Sequence, residues 1–178
     1  MLKLCFIAPS GYGKSTAISI LKKFYNIENI KIAEPLYELQ NYFYNYIDSK
    51  LLGEQDGELL QFLGIKIRKE NSNFLINKFK ERVMLKKSVD FITNDDCRPP
   101  DYMCLKELGF VFVAINGYDR DRYDHSKANP KLSIEWQNKP QCDYHVDNWD
   151  SMIEYKNNLI RLIDKICKEK GVALCKKI

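Results

Sequence analysis

The chain has 178 residues, 45% hydrophobic and 29% charged, with a formal net charge of +4. This is the balance of one globular domain large enough for a sheet covered on both faces, and no apolar run approaches the roughly 20 residues that a membrane helix needs. The modest positive charge suits an anionic small molecule and does not by itself demand nucleic acid. Met1-Leu2-Lys3 runs straight into a strand, so no signal peptide is expected and a cytoplasmic setting is.

Leu2-Lys3-Leu4-Cys5-Phe6-Ile7 is predicted as the first strand. Ala8-Pro9-Ser10-Gly11-Tyr12-Gly13-Lys14-Ser15-Thr16 follows, the G-x-x-x-x-G-K-[ST] pattern of a phosphate-binding loop with alanine where the first glycine usually stands. Thr16 to Phe24 continues as an amphipathic helix, so strand, loop and helix fall where the motif requires them. In such a loop backbone N–H groups converge on an anion, and the helix N-terminus adds partial positive charge. Ser10 to Thr16 would cradle the nucleotide, Lys14 would reach its terminal phosphates and Ser15 would ligate Mg²⁺. Ala8 is expected in extended backbone, closing the strand, because a positive φ would strain it. The bland alternative is a tight strand-to-helix turn with no ligand.

Asn29 to Ala33 is predicted as the second strand, ending at Glu34-Pro35. A helix from Pro35 to Ile47 is rich in aromatic residues, Tyr37, Tyr42, Phe43, Tyr44 and Tyr46, whose helical spacing points to core packing rather than to stacking on a base. After a polar connection, 58–70 and 72–85 read as helices, the second with Ser72 as its cap. Ser88 to Asp96 is predicted as the third strand with carboxylates at its tip, and Pro99 to Leu108 as a helix closed by Gly109. Phe110 to Ile115 is the most continuously apolar run, as a strand buried on both faces should be. The stretch from Gly117 to Pro140 is long, polar and arginine-bearing, the character of a lid. Cys142 to Asp147 is a fifth strand, Ser151 to Lys170 a long amphipathic helix, and Val172 to Ile178 an edge extension or tail. Six cysteines lie scattered without Cys-x-x-Cys spacing, so reduced thiols are expected and a zinc site is not.

Alternating strands and helices predict an α/β fold with a mainly parallel five-stranded sheet, helices on both faces and ligands at the C-terminal strand ends. A GTPase should carry Asn-Lys-x-Asp; Asn138-Lys139-Pro140-Gln141 has glutamine where the carboxylate belongs and precedes a strand instead of closing one. Phosphoryl transfer needs charge neutralisation and in-line positioning, and an arginine-bearing lid suits that chemistry better than a nucleotide switch does.

The chain resembles the bacteriophage-type deoxynucleoside monophosphate kinases. The resemblance rests on the phosphate loop, Ala33-Glu34-Pro35-Leu36, the stretch from Asp56 to Gly64 leading to Arg68, Asp96-Cys97-Arg98, Leu105 to Gly109, Ser133 to Trp136, and Asp143-Tyr144-His145-Val146-Asp147-Asn148. It implies a three-layer P-loop kinase fold spanning 1–178, with a helical acceptor-binding region over about 35–87 and a lid over about 117–140. It further implies ATP and Mg²⁺, a deoxynucleoside 5′-monophosphate acceptor, and often a homodimer; from the composition, no membrane partner is expected. Asp96 would assist Ser15 with the metal, Arg68 and Arg98 would grip the acceptor phosphate, and Arg120 and Arg122 would meet the transition-state charge alongside Lys14. Glu34, where the family tends to carry aspartate, would bind sugar or base. Alternatively it would act as general base for a hydroxyl acceptor, a nucleoside or a hydroxymethylated base, free or in DNA. Arg68 and the lid arginines could equally be solvated charges, and Asp95 and Asp96 could cap a turn. His125 and His145 read as ordinary lid and strand residues.

Overall fold

The computed structural model describes residues 1–53, 55–117 and 140–173. The chain divides into two units: Met1–Asn29 with the described part of Lys86–Ile178, and Ile30–Leu85. The second is thus a continuous insertion in the first, covering the helices expected over about 35–87.

The first unit carries five strands, β1 (Leu2–Ile7), β2 (Ile27–Asn29), β3 (Phe91–Asn94), β4 (Val111–Gly117) and β5 (Tyr144–Asn148), in the order β2-β3-β1-β4-β5. Every pairing among them is parallel, with Cys5 opposite Asn94 on one side of β1 and opposite Phe112 on the other. Alternate residues of a strand face opposite ways, and here both sets are apolar. Leu2, Leu4 and Phe6 pack with Val111, Val113, Ile115 and Val146 beneath α1 (Lys14–Lys22), and beneath Leu159, Ile163 and Ile166 of the last helix (Met152–Lys170). Cys5, Ile7, Ile92, Phe112 and Ala114 are buried on the opposite face. A short helix (Tyr102–Glu107) covers that side, its Tyr102 ring edge-on to Phe112 at 6.1 Å, and Lys3 Nζ donates to the Leu108 carbonyl at 2.7 Å.

The second unit holds three helices, α2 (Glu34–Tyr46), α3 (Gly57–Glu70) and α4 (Phe74–Leu85), which makes the two later helices α5 and α6. Pro35 sits in the first turn of α2, where its missing N–H costs nothing. Asp56 caps α3: its carboxylate accepts from Leu59 N at 3.0 Å and from Tyr44 Oη at 2.8 Å, and its own N–H donates to the buried Gln40 Oε1 at 2.7 Å. One residue therefore starts a helix and ties it to α2.

Several expectations need correction. The aromatic residues of α2 do not fill a core: Tyr42 is 68% and Tyr46 78% exposed, with their rings stacked 6.1 Å apart. The buried stripe of α2 is only Pro35, Leu36 and Gln40. The second strand lies at Ile27–Asn29 instead of 29–33, because residues 32–33 turn into α2, with Leu36 N–H bonded to Ala33 O at 2.8 Å. The third strand is shorter than expected. The helix expected from Pro99 begins as a 3₁₀ turn, Pro99–Asp101, since adjacent prolines supply no N–H donors. α4 starts at Phe74, beyond Ser72. Gly109, at φ 79°, does close α5, and Gly171, at φ 64°, closes α6. The lid stretch 118–139 and residues 174–178 lie outside the described residues.

Candidate active site

The phosphate loop spans the turn from β1 to α1. Gly11 and Gly13 take φ of 83° and 94°, left-handed backbone that glycine adopts without steric cost. Ala8 has no positive φ and packs against the core, so the missing glycine is tolerated. Lys14 Nζ donates to the carbonyls of Ala8 at 2.7 Å and Pro9 at 2.9 Å, folding the side chain back over the loop. Its pKa is pulled down to about 8, chiefly by burial and in smaller part by the Arg98 guanidinium, against the opposing charges of Asp95 and Asp96. The ammonium therefore stays charged at neutral pH, and a phosphate ligand would hold it so.

Ser15 follows on the first turn of α1, and its Oγ donates to Asp95 Oδ2 at 3.1 Å. Asp95, just past the end of β3, is buried; its other oxygen accepts from Asn29 Nδ2 at 3.2 Å, and Asn29 Oδ1 accepts from Thr93 Oγ1 at 3.1 Å. The carboxylate is thus fixed from the β2 side and presented to the serine. Asp96 turns elsewhere and accepts from Asn94 Nδ2 at 2.7 Å, while Asn94 Oδ1 accepts from Cys97 N at 3.0 Å and from the Cys5 thiol at 3.6 Å. The structure therefore brings together Lys14, Ser15 and Asp95, with Asp96 one residue off the pair. Adjacent carboxylates at a strand end point in different directions, and the position of that end decides which one faces the loop.

The other expected residues are placed as follows. Ser10 and Gly11 are exposed at the loop crest; Tyr12, Gly13 and Thr16 are half-buried. Arg98 is exposed, at the start of the 3₁₀ turn, and its backbone N–H donates to Asp101 Oδ2 at 3.4 Å. Glu34 opens α2 and Arg68 lies in the last turn of α3, both half-buried in the second unit. Arg120, Arg122 and His125 lie outside the described residues, and His145 is exposed on β5. No disulfide links the five described cysteines, Cys5, Cys97, Cys104, Cys142 and Cys167.

Two residues reach the loop that sequence reasoning did not single out. Asn148, at the end of β5, donates from Nδ2 to the Tyr12 carbonyl at 3.2 Å. Tyr155, buried in the first turns of α6, donates from Oη to the Gly13 carbonyl at 3.0 Å. Asn148 closes a stretch already notable in sequence, but nothing in Tyr155 distinguishes it there from an ordinary core aromatic.

A parallel sheet with a glycine-bearing loop between its first strand and first helix, and a neighbouring strand's carboxylate on the loop serine, defines a phosphate-loop α/β protein. The fold is that of P-loop kinases. Dephospho-CoA kinase from Campylobacter jejuni superposes with a TM-score of 0.51 at 18% identity, over 95% of this chain and 98% of that one. Shikimate kinase from Bacteroides thetaiotaomicron gives 0.47 at 12% identity, over 93% and 98%. No family model and no curated protein matches the sequence.

Proposed function

We propose that this protein is an ATP-dependent kinase that transfers the γ-phosphoryl group to a (deoxy)nucleoside 5′-monophosphate, giving the diphosphate and ADP. One observation carries the transfer chemistry: the Ser15 hydroxyl bonded to buried Asp95, beside a desolvated Lys14 on a phosphate loop. The fold shared with a solved kinase supports it, and the acceptor rests on the resemblance of the sequence to monophosphate kinases.

The residues divide the work physically. Backbone N–H groups from Gly11 to Thr16 would bind the donor phosphates, and the Lys14 ammonium would exchange a loop carbonyl for a phosphate oxygen. Hydroxyl and carboxylate oxygens are the hard donors that Mg²⁺ prefers, so Ser15, with Asp95 through water, would hold the ion. Among the described residues no cluster of three His, Cys, Asp or Glu exists, so phosphate and water would complete its shell. An ion held there would supply charge neutralisation to the donor phosphates. Arg98 and Arg68 would grip the acceptor phosphate with their guanidinium forks, and Glu34 would bind its sugar or base. Arg120 and Arg122 would meet charge developing on the transferred group.

A panel of nucleoside monophosphates, nucleosides and DNA, read by ADP release with Mg-ATP, tests this. Turnover stimulated by one or more monophosphates is the expected result. Stimulation by nucleosides or DNA alone would overturn the acceptor and make Glu34 a general base. Tight ATP binding with no acceptor-dependent release would make the protein a nucleotide switch.

A further inference from the structure

We infer that Asn148 and Tyr155 are positioning residues that set the phosphate loop from outside, by fixing the carbonyls of Tyr12 and Gly13 so that the next N–H groups face the donor phosphates. This rests on the phosphate-loop reading and extends it to two residues distant in sequence.

The reasoning starts from the peptide unit. It is planar and trans, so its C=O and the following N–H point in opposite directions, and the described residues include no cis peptide bond. A carbonyl tied on one side of the loop therefore aims the next N–H at the other. The Tyr12 carbonyl, held by Asn148 Nδ2 at 3.2 Å, orients the N–H of Gly13. The Gly13 carbonyl, held by Tyr155 Oη at 3.0 Å and by Ala17 N at 2.8 Å, orients the N–H of Lys14. These two donors stand immediately before the Lys14 side chain and Ser15, where negative charge must be bound.

Glycine conformers need such a constraint. Gly13, at φ 94°, has access to much more backbone space than any other residue type, and an unanchored peptide on either side of it can flip. The two anchors also make this position intolerant of a side chain: a Cβ on Gly13 would stand 2.7 Å from Asn148 Nδ2 and 3.4 Å from Tyr155 Cε1. The approach is close because the anchors reach the backbone directly.

The anchors themselves are rigid. Tyr155 is 1% exposed, and burial raises its pKa well above the ordinary phenol value, so it remains a neutral donor across the working pH range. It lies one turn into α6, whose start is fixed by a reciprocal cap: Ser151 Oγ accepts from Glu154 N at 3.2 Å, and Glu154 Oε2 accepts from Ser151 N at 3.4 Å. Asn148 is the last residue of β5, paired in register with Gly117 of β4.

The test uses Tyr155→Phe, which deletes one hydroxyl, and Asn148→Asp, which replaces the amide donor with an oxygen facing the Tyr12 carbonyl. Affinities for Mg-ATP and for inorganic tripolyphosphate are measured by calorimetry, with melting temperatures alongside. Tyr155→Phe should weaken both ligands by the same factor, about three- to tenfold for one lost hydrogen bond, and Asn148→Asp by more than tenfold. Equal loss for the two ligands places the effect on the loop rather than on any contact to the nucleoside, and a merely structural role would lower the melting temperature without moving either affinity. Unchanged tripolyphosphate affinity in both variants overturns the inference, and loss in only one overturns it for the other residue. Weakening for Mg-ATP alone also overturns it. If Asn148→Asp does not fold, Tyr155→Phe decides the matter alone. A wild-type protein that binds tripolyphosphate but phosphorylates no acceptor defeats the kinase assignment and leaves the positioning intact. One that does not bind tripolyphosphate defeats both.

Discussion

Lys14 carries two bonds to its own loop, and both are to carbonyls that a phosphate oxygen can replace. Lys14→Ala should therefore leave the fold in place and lose about 3–4 kcal/mol of transition-state stabilisation, the scale seen when one preorganised donor to developing charge is removed. Steady-state turnover with the best acceptor measures this, and a variant that keeps wild-type turnover would show that the loop is not catalytic. Asp95→Asn should cost activity more than Asp96→Asn, because Asp95 is the carboxylate that meets Ser15. Comparing the Mg²⁺ concentration each variant requires would separate the two. The placement of Lys14 and Ser15 at the turn between β1 and α1 was legible because a short motif fixes both identity and spacing. Which of Asp95 and Asp96 bonds Ser15 was not, since it depends on β3 ending at Asn94 and on Asn29 reaching across from β2.

The elements were legible where a pattern repeats over several turns and less so at their ends. α6 shows this: its apolar spacing and Ser151 cap give both its extent and its start. Ser151→Ala should lower stability by about 1 kcal/mol through loss of the cap, a fall of about 2–4 °C in Tm for a chain of this size. A cap also governs α3, with a pH signature. The Leu59 N–H and then the Tyr44 hydroxyl hold the Asp56 carboxyl below its usual pKa of 3.8. The unfolded chain therefore takes up this proton first, and the stabilisation is present above that value and lost as pH falls through the lowered one. Asp56→Asn should flatten this part of the acid limb in a denaturation series from pH 6 to pH 2. What misled at this scale was α2, where Tyr42, Phe43 and Tyr46 are exposed. Spacing reports that residues share a face, but not what covers that face.

At the scale of the molecule, the alternation of strands and helices foretold the parallel sheet and the edge where the loop and Asp95 meet. A helical region over about 35–87 was readable from the sequence; that Ile30–Leu85 forms a compact unit of its own was not, because no glycine- or proline-rich linker marks its ends. Amide exchange should report the two units separately. Mg-ATP is expected to protect 9–16 and 94–98 in the first, and the acceptor monophosphate to protect segments within Ile30–Leu85. Protection confined to the first unit with both ligands would place the acceptor elsewhere. The sheet order has a kinetic consequence as well. β1 pairs with Phe91–Asn94 and Val111–Gly117, and the loop behind it is anchored by residues 136 and 142 positions further along. At typical synthesis rates that separation is roughly 7–28 s. During that interval β1 has neither neighbour nor finished loop for much of its exposure to the cell. If Asn148 and Tyr155 set the loop as inferred, a nucleotide would meet an unfinished loop until both residues have been made.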